Sequence, residues 1–231
     1  LKAEGGKLGG NGGRIETSGF SIDVNEAKVS TNSKNGKAGE WLIDPYNITI
    51  SSSGSSDYTA NEDNEVIDAS LLATSLNSSN ITIFTGNSGS QNGNITVSSS
   101  ISSGSSNNLT LRSANDISIN ANITRSGSGG LILEPGSNTV NGSGSISLTA
   151  GSNISTSSGA NVSNNIQLNG SGNVSFGGSG TSTYTGTISG SGNLNKIDNG
   201  TVILSGTNTY SGDTTISAGT LRTTGTLADT T

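Results

Sequence analysis

The chain has 231 residues, 28% of them hydrophobic, 3% aromatic and 11% charged, with 35 glycines, two prolines and a formal net charge of −6. So small an apolar fraction excludes a wide layered core, and so little charge excludes both a charged disordered chain and the basic footprint of a nucleic-acid binder. No apolar run approaches the ~20 residues that cross a bilayer, and there is no basic amphipathic stretch, so no membrane insertion by this segment is expected.

Cysteine is absent, so no disulfide framework organises the chain. It begins at Leu1 without an initiator methionine or a leader pattern and reads as cut from a longer polypeptide. Residues 1–56 are read as a first set of coils with glycine-rich corners. Residues 57–80 differ: Asp57, Glu62, Asp63, Glu65 and Asp68 form an acidic loop without period-two alternation. Asp68 then stands where it can cap a short helix over 68–76 through Ala69, Leu71, Leu72, Ala73 and Leu76.

From Ile81 to Leu133 short apolar triplets recur, mostly around a polar centre: Ile81-Thr82-Ile83, Ile95-Thr96-Val97, Leu109-Thr110-Leu111, Ile117-Ser118-Ile119 and Leu131-Ile132-Leu133. Alternation puts every second side chain on one face of a strand. Ile95, Val97, Ile101, Leu109 and Leu111 each recur 22 positions later as Ile117, Ile119, Ile123, Leu131 and Leu133. Strands this short, joined by Gly, Ser and Asn corners, cannot stand as ordinary hairpins but can pair with their copies in the next repeat. The spacing shortens to 20 where Ile146 and Leu148 lead to Ile166 and Leu168, and Ile154 to Val174. The expected fold is therefore all-β, a right-handed parallel β-helix with coils of about 20–22 residues and one short helix. Regular coils are placed over 81–176. A composition shift near Gly177, with Tyr184, Tyr210 and many threonines, opens a last region over 177–231.

Two stretches resemble known families. GGNGGRIETSG (Gly9 to Gly19), followed by AGEWLIDPYNITI (Ala38 to Ile50), resembles the filamentous-haemagglutinin family of large exoproteins exported by two-partner secretion. GTVILSGTNTYSGDTTISAGTL (Gly200 to Leu221) is similar to the autotransporter-associated β-strand repeat of type V passenger domains. The resemblances imply a stalk segment of a secreted Gram-negative adhesin, displayed at the cell surface. Its export partner would be an outer-membrane β-barrel transporter, and its target a host or bacterial surface receptor or glycan. The stalk of a contact-dependent toxin exoprotein would carry the same features.

A β-helix polysaccharide-degrading enzyme is the reading from another class, and it needs clustered carboxylates or a supported base. The chain has no histidine, and between Ile81 and Gly190 its carboxylates are Asp116 and Glu134, 18 positions apart. No catalytic, cofactor or metal residue is assigned, and no enzymatic activity is expected. The acidic cluster at 57–68 lacks a glycine-punctuated calcium loop and is read as solvated. Asn-x-Ser/Thr triplets occur twelve times, and Asn47, Asn80, Asn94, Asn108 and Asn122 are taken as candidate glycosylation sites, although asparagine also suits coil corners. Trp41, Tyr184 and Tyr210 are read as packing residues rather than sugar platforms.

Overall fold

Short strands with one apolar face gain nothing alone; stacked in register they bury that face and pair their backbones at the same time. The computed structural model of the chain shows this arrangement, a parallel β-solenoid with one short helix. It describes residues 1–19, 22–24, 26–52, 64–86, 92–137, 139–149, 151–156 and 159–227. Each regular coil gives one strand to each of three sheets, which among the described residues hold nine, nine and six strands.

The register matches the sequence spacing position for position. Ile95 pairs with Ile117 and Val97 with Ile119, Ile101 with Ile123, and Leu109 and Leu111 with Leu131 and Leu133. The shorter coils hold it too, with Ile146 beside Ile166, Leu148 beside Leu168 and Ile154 beside Val174. In the first sheet the inward row runs Trp41, Ile81, Leu109, Leu131, Ile154, Val174, Leu194. In the second it runs Ile48, Ile95, Ile117, Val140, Val162, Tyr184, Leu204. All of these side chains are buried, and each contributes about 1.5–3 kcal/mol relative to exposure. A narrow interior filled this way explains how 28% hydrophobic residues suffice.

The amino-terminal end is less regular. Strands β1 (Arg14–Ser18) and β2 (Glu40–Asp44) stack in the first sheet, and β3 (Asn47–Ser51) starts the second-sheet strand of the next face. The chain then returns, so that β4 (Asn64–Asp68) pairs with one edge of β3, Ile67 beside Ile50. The other edge of β3 receives β6 (Ile95–Val97), which comes after β5 (Asn80–Phe84). Helix α1 (Ala69–Ser75) follows β4 directly and packs against β7 (Ile101–Ser103), the first strand of the third sheet. Asp68 caps it as expected, its carboxylate accepting the N–H groups of Ser70 (2.6 Å) and Leu71 (3.2 Å). Leu72 and Leu76 are buried beneath it.

The segment read as an acidic loop thus carries a strand as well as the helix. Polar residues hid it: Glu65 stands opposite Ile48, and its carboxylate accepts the N–H of Ile22 at 2.8 Å, so an acidic residue occupies a position where alternation expects an apolar one. Asp57, Glu62 and Asp63 lie outside the described residues.

Two cations also occupy inward positions. Arg125 sits between Ser103 and Leu148 in the third sheet, with no exposed surface. Its Nη2 donates to the carbonyls of Ser105 and Asn107, while Nε and Nη1 have no protein partner. Burial pushes its guanidinium pKa below the ordinary arginine range. A Cβ at Gly129 would lie 2.1 Å from the Asn107 carbonyl and 2.4 Å from Arg125 Nη2, so the corner over this head group admits only glycine. Lys196, buried between Phe176 and Ile216, likewise turns to corner carbonyls, those of Ile197 and Asp198. In both cases a long apolar stem fills the core and the charged head ends at backbone oxygens.

Candidate functional surface

The five candidate glycosylation residues stand at strand entries, on all three sheets, and do not converge. What they share is a task at the coil corners, where backbone N–H groups leave the ladder and need acceptors. The carboxamide oxygen of Asn47 accepts the N–H of Asn94 (2.7 Å), and that of Asn94 accepts the N–H of Asp116 in the next coil (3.2 Å). Asn80 accepts from Asn108 (2.9 Å), and Asn108 from Gly130 (2.8 Å). Asn122 accepts from Ser145 (2.9 Å). Asn80 also donates from Nδ2 to the carbonyls of Ala38 (3.0 Å) and Gly39 (2.9 Å). Each asparagine therefore pins one coil to another. Asn108 and Asn122 remain exposed; Asn47, Asn80 and Asn94 are half-buried.

Trp41 is fully buried, with Nε1 donating to Thr17 Oγ1 at 3.1 Å. Tyr184 and Tyr210 are buried as well. Tyr184 packs against Phe176, ring centroids 4.0 Å apart, and its hydroxyl shares a 2.6 Å hydrogen bond with Thr156. Burial raises its phenol pKa far above the ordinary value, more than the Thr156 contact lowers it.

A feature not anticipated from the sequence lies at the corner between the first and second sheets. Ile43, Ile83, Leu111 and Leu133 pair in succession along the first sheet. The residues after them, Asp44, Phe84, Arg112 and Glu134, consequently form one outward row across four coils. Arg112, on strand β8 (Leu109–Ser113), donates from Nε to the carboxylate of Glu134 and holds its guanidinium 5.9 Å from the centre of the Phe84 ring. Tyr46, two residues beyond Asp44, lies half-buried at the same corner. Small residues follow the row, and with them a shallow notch of about 380 Å³ opens, lined by Phe84, Arg112, Ser113, Ala114, Glu134, Pro135 and Gly136. Burial, assisted by Glu16, raises the pKa of the Asp44 carboxyl. The trace of this cluster in the sequence is that Arg112 and Glu134 keep the same spacing of 22 as the apolar ladders.

The two carboxylates weighed for chemistry flank this corner, and each is held by a partner: Glu134 by Arg112, and Asp116 by the hydroxyl of Ser137. Among the described residues, no group of three or more Asp, Glu, His or Cys side chains converges as metal ligands would. A second hollow of about 830 Å³ lies between α1 and the segment around Lys28, lined by Leu71, Thr74, Ser75 and Ser78 among others.

Residues 194–222 match the passenger-associated-transport-repeat family. They start in the first-sheet strand Asn193–Lys196, make one full turn through Thr201–Leu204 and Thr209–Tyr210, and end in Thr220–Thr223 of the next coil. The repeat is thus one coil plus its stacking edge. Buried Asn208 locks it, accepting from the N–H of Ile188 (3.1 Å) and donating to the carbonyl of Gly206 (3.0 Å). The stretch Gly200 to Leu221, singled out for its likeness to an autotransporter repeat, falls inside this match. No curated protein matches the chain. Repeat and β-solenoid together fit the passenger region of a secreted or surface-exposed protein.

Proposed function

We propose that this segment is the non-enzymatic stalk of a surface-displayed adhesin of the filamentous-haemagglutinin type, exported through a partner β-barrel. The observation that carries the reading is the continuity of three parallel sheets over a buried, mainly apolar interior. Such a body resists bending because each coil is hydrogen-bonded and packed only to its neighbours, and it can be lengthened coil by coil without altering either end. The passenger-type repeat at 194–222 supports secretion, and the Gly9 to Ile50 motif supports the two-partner route.

The test uses the full-length gene in a non-adherent Gram-negative host, with and without the gene for its partner barrel. Attachment to epithelial monolayers and surface display are both measured. Display that depends on the partner and attachment that depends on display are expected. Excising residues 153–172, which rejoins the chain in register because Asn153 pairs with Asn173, should shorten the rod and leave both intact. Attachment equal to that of cells lacking the protein overturns the adhesive reading, and display without the partner overturns the route. Killing of neighbouring cells in place of attachment replaces the adhesin with a toxin stalk.

A further inference from the structure

Arg125 carries more unpartnered donors than any other buried side chain among the described residues. It has no exposed surface, yet Nε and Nη1 meet no protein acceptor. Those two nitrogens hold three of the five N–H donors of a guanidinium. Only Nη2 is engaged, at the carbonyls of Ser105 and Asn107. The other buried cation differs, because the single head nitrogen of Lys196 is held by the carbonyls of Ile197 and Asp198. No carboxylate balances Arg125 either. Between Ile81 and Gly190 the acidic residues are Asp116 and Glu134, held elsewhere by Ser137 and Arg112. An uncompensated cation in a dry interior is strongly unfavourable, and burial lowers the Arg125 pKa with no acidic neighbour acting against it.

The row that holds Arg125 is also thin beside it. Inward positions of the third sheet run Ser103, Arg125, Leu148, Leu168, so a short hydroxymethyl group stands where later coils place leucine. Ser103 is buried, and its Oγ accepts the N–H of Ser105 at 3.3 Å but donates to no described protein group. Its O–H is therefore a further free donor next to the guanidinium. We propose that this cluster of free donors binds a small inorganic monoanion of the chloride type, trapped in the interior as the coils close. The anion neutralises the guanidinium and accepts charge-assisted hydrogen bonds from its free N–H groups and from the Ser103 O–H. Water in the same place would satisfy donors and leave the charge uncompensated. A monoatomic ion suits an enclosed site with apolar neighbours: Ile101 and Ile123 stand two positions earlier on the same strands and Leu148 on the next, and none can serve the extra acceptors of a larger oxyanion.

This site stands independently of the adhesive reading. The experiment follows thermal melting of the purified 231-residue chain by circular dichroism as sodium chloride replaces sodium gluconate at constant ionic strength, gluconate being too large to be enclosed. One anion bound only to the folded state raises the melting temperature by about 3–6 °C for each tenfold rise in chloride above its Kd. Bromide should act as chloride does. Arg125→Met, which keeps an unbranched stem and loses the charge, should abolish the dependence. Crystals of the wild-type chain grown in sodium bromide give a check that needs no variant: an anomalous-scattering peak within hydrogen-bonding reach of Nε or Nη1 is expected. Melting of the wild-type chain that ignores chloride, ordered water without bromide at the guanidinium, or a chloride dependence that survives in folded Arg125→Met would each overturn the site.

Discussion

Leu111 offers the sharpest perturbation of the stacked core. It has no exposed surface and lies between Ile83 and Leu133 in an inward row of the first sheet. Truncating such a leucine to alanine costs about 2–5 kcal/mol, because neighbours held by their own ladders cannot collapse into the gap. Leu111→Asp adds the desolvation of a carboxyl with no partner, for a total of about 4–6 kcal/mol at neutral pH. At ~2–4 °C per kcal/mol for a domain of this size, melting should fall by roughly 10–20 °C. The loss carries a pH dependence of known sign. Burial raises the folded-state pKa of the new carboxyl above the ~4 of the unfolded chain, so the penalty is smallest below pH ~4 and grows as pH rises toward the folded value. Circular dichroism melts of Leu111→Asp at pH 4 and pH 7, beside the exposed control Ser106→Ala, decide the matter; the control should shift by less than ~0.5 kcal/mol. Melting of Leu111→Asp within a few degrees of wild type at both pH values would refute the inward ladder.

Three further outcomes follow from single contacts. Asn164 is buried, and its Nδ2 donates to the carbonyls of Ile119 (3.0 Å), Gly142 (3.2 Å) and Gly144 (2.9 Å). Asn164→Ala should cost about 2–3 kcal/mol in urea unfolding, and a loss under ~0.5 kcal/mol would deny the pin its role. Tyr184 should stay protonated in ultraviolet titration well past the ordinary tyrosine value. Because its folded pKa lies above the unfolded value of ~10, stability should be lost as pH rises past that value; loss of one ionisation near the ordinary pKa in Tyr184→Phe would contradict this. Asp68→Ala removes the cap of α1 and should cost ~1 kcal/mol, with faster amide exchange across 69–75, whereas Asp68→Asn should retain most of the protection.

The solenoid was legible because its register is written in residues that recur at fixed intervals. Ile95 and Ile117, or Leu111 and Leu133, announce a stacked pair without any knowledge of the chain between them. The helix was legible for a local reason, an aspartate in front of a leucine-rich turn. What escaped reading depended on long-range placement. β4 returns to the open edge of β3, and its inward side carries Glu65, whose partner Ile22 is 43 positions away. Arg125 and Lys196 occupy rows where alternation demands apolar residues, because their stems are apolar and corner carbonyls receive their heads. The corner cluster stayed hidden for a different reason: Arg112 and Glu134 keep the 22-residue spacing, but Phe84 stands 28 positions before Arg112 and joins the row only through the stacking of β5 on β8.

The stacking itself can be measured as a distance in solution. The outward row of the first sheet runs Thr110, Ile132, Ser155, Ser175, Asn195, Thr215, one residue per coil. The native chain has no cysteine, so Thr110→Cys with Thr215→Cys accepts two spin labels and nothing else. Five steps of ~4.8 Å predict a narrow double electron–electron resonance distribution near ~24 Å, widened by the label linkers. A broad distribution centred near the ~55 Å expected of a flexible chain of that separation would contradict the solenoid.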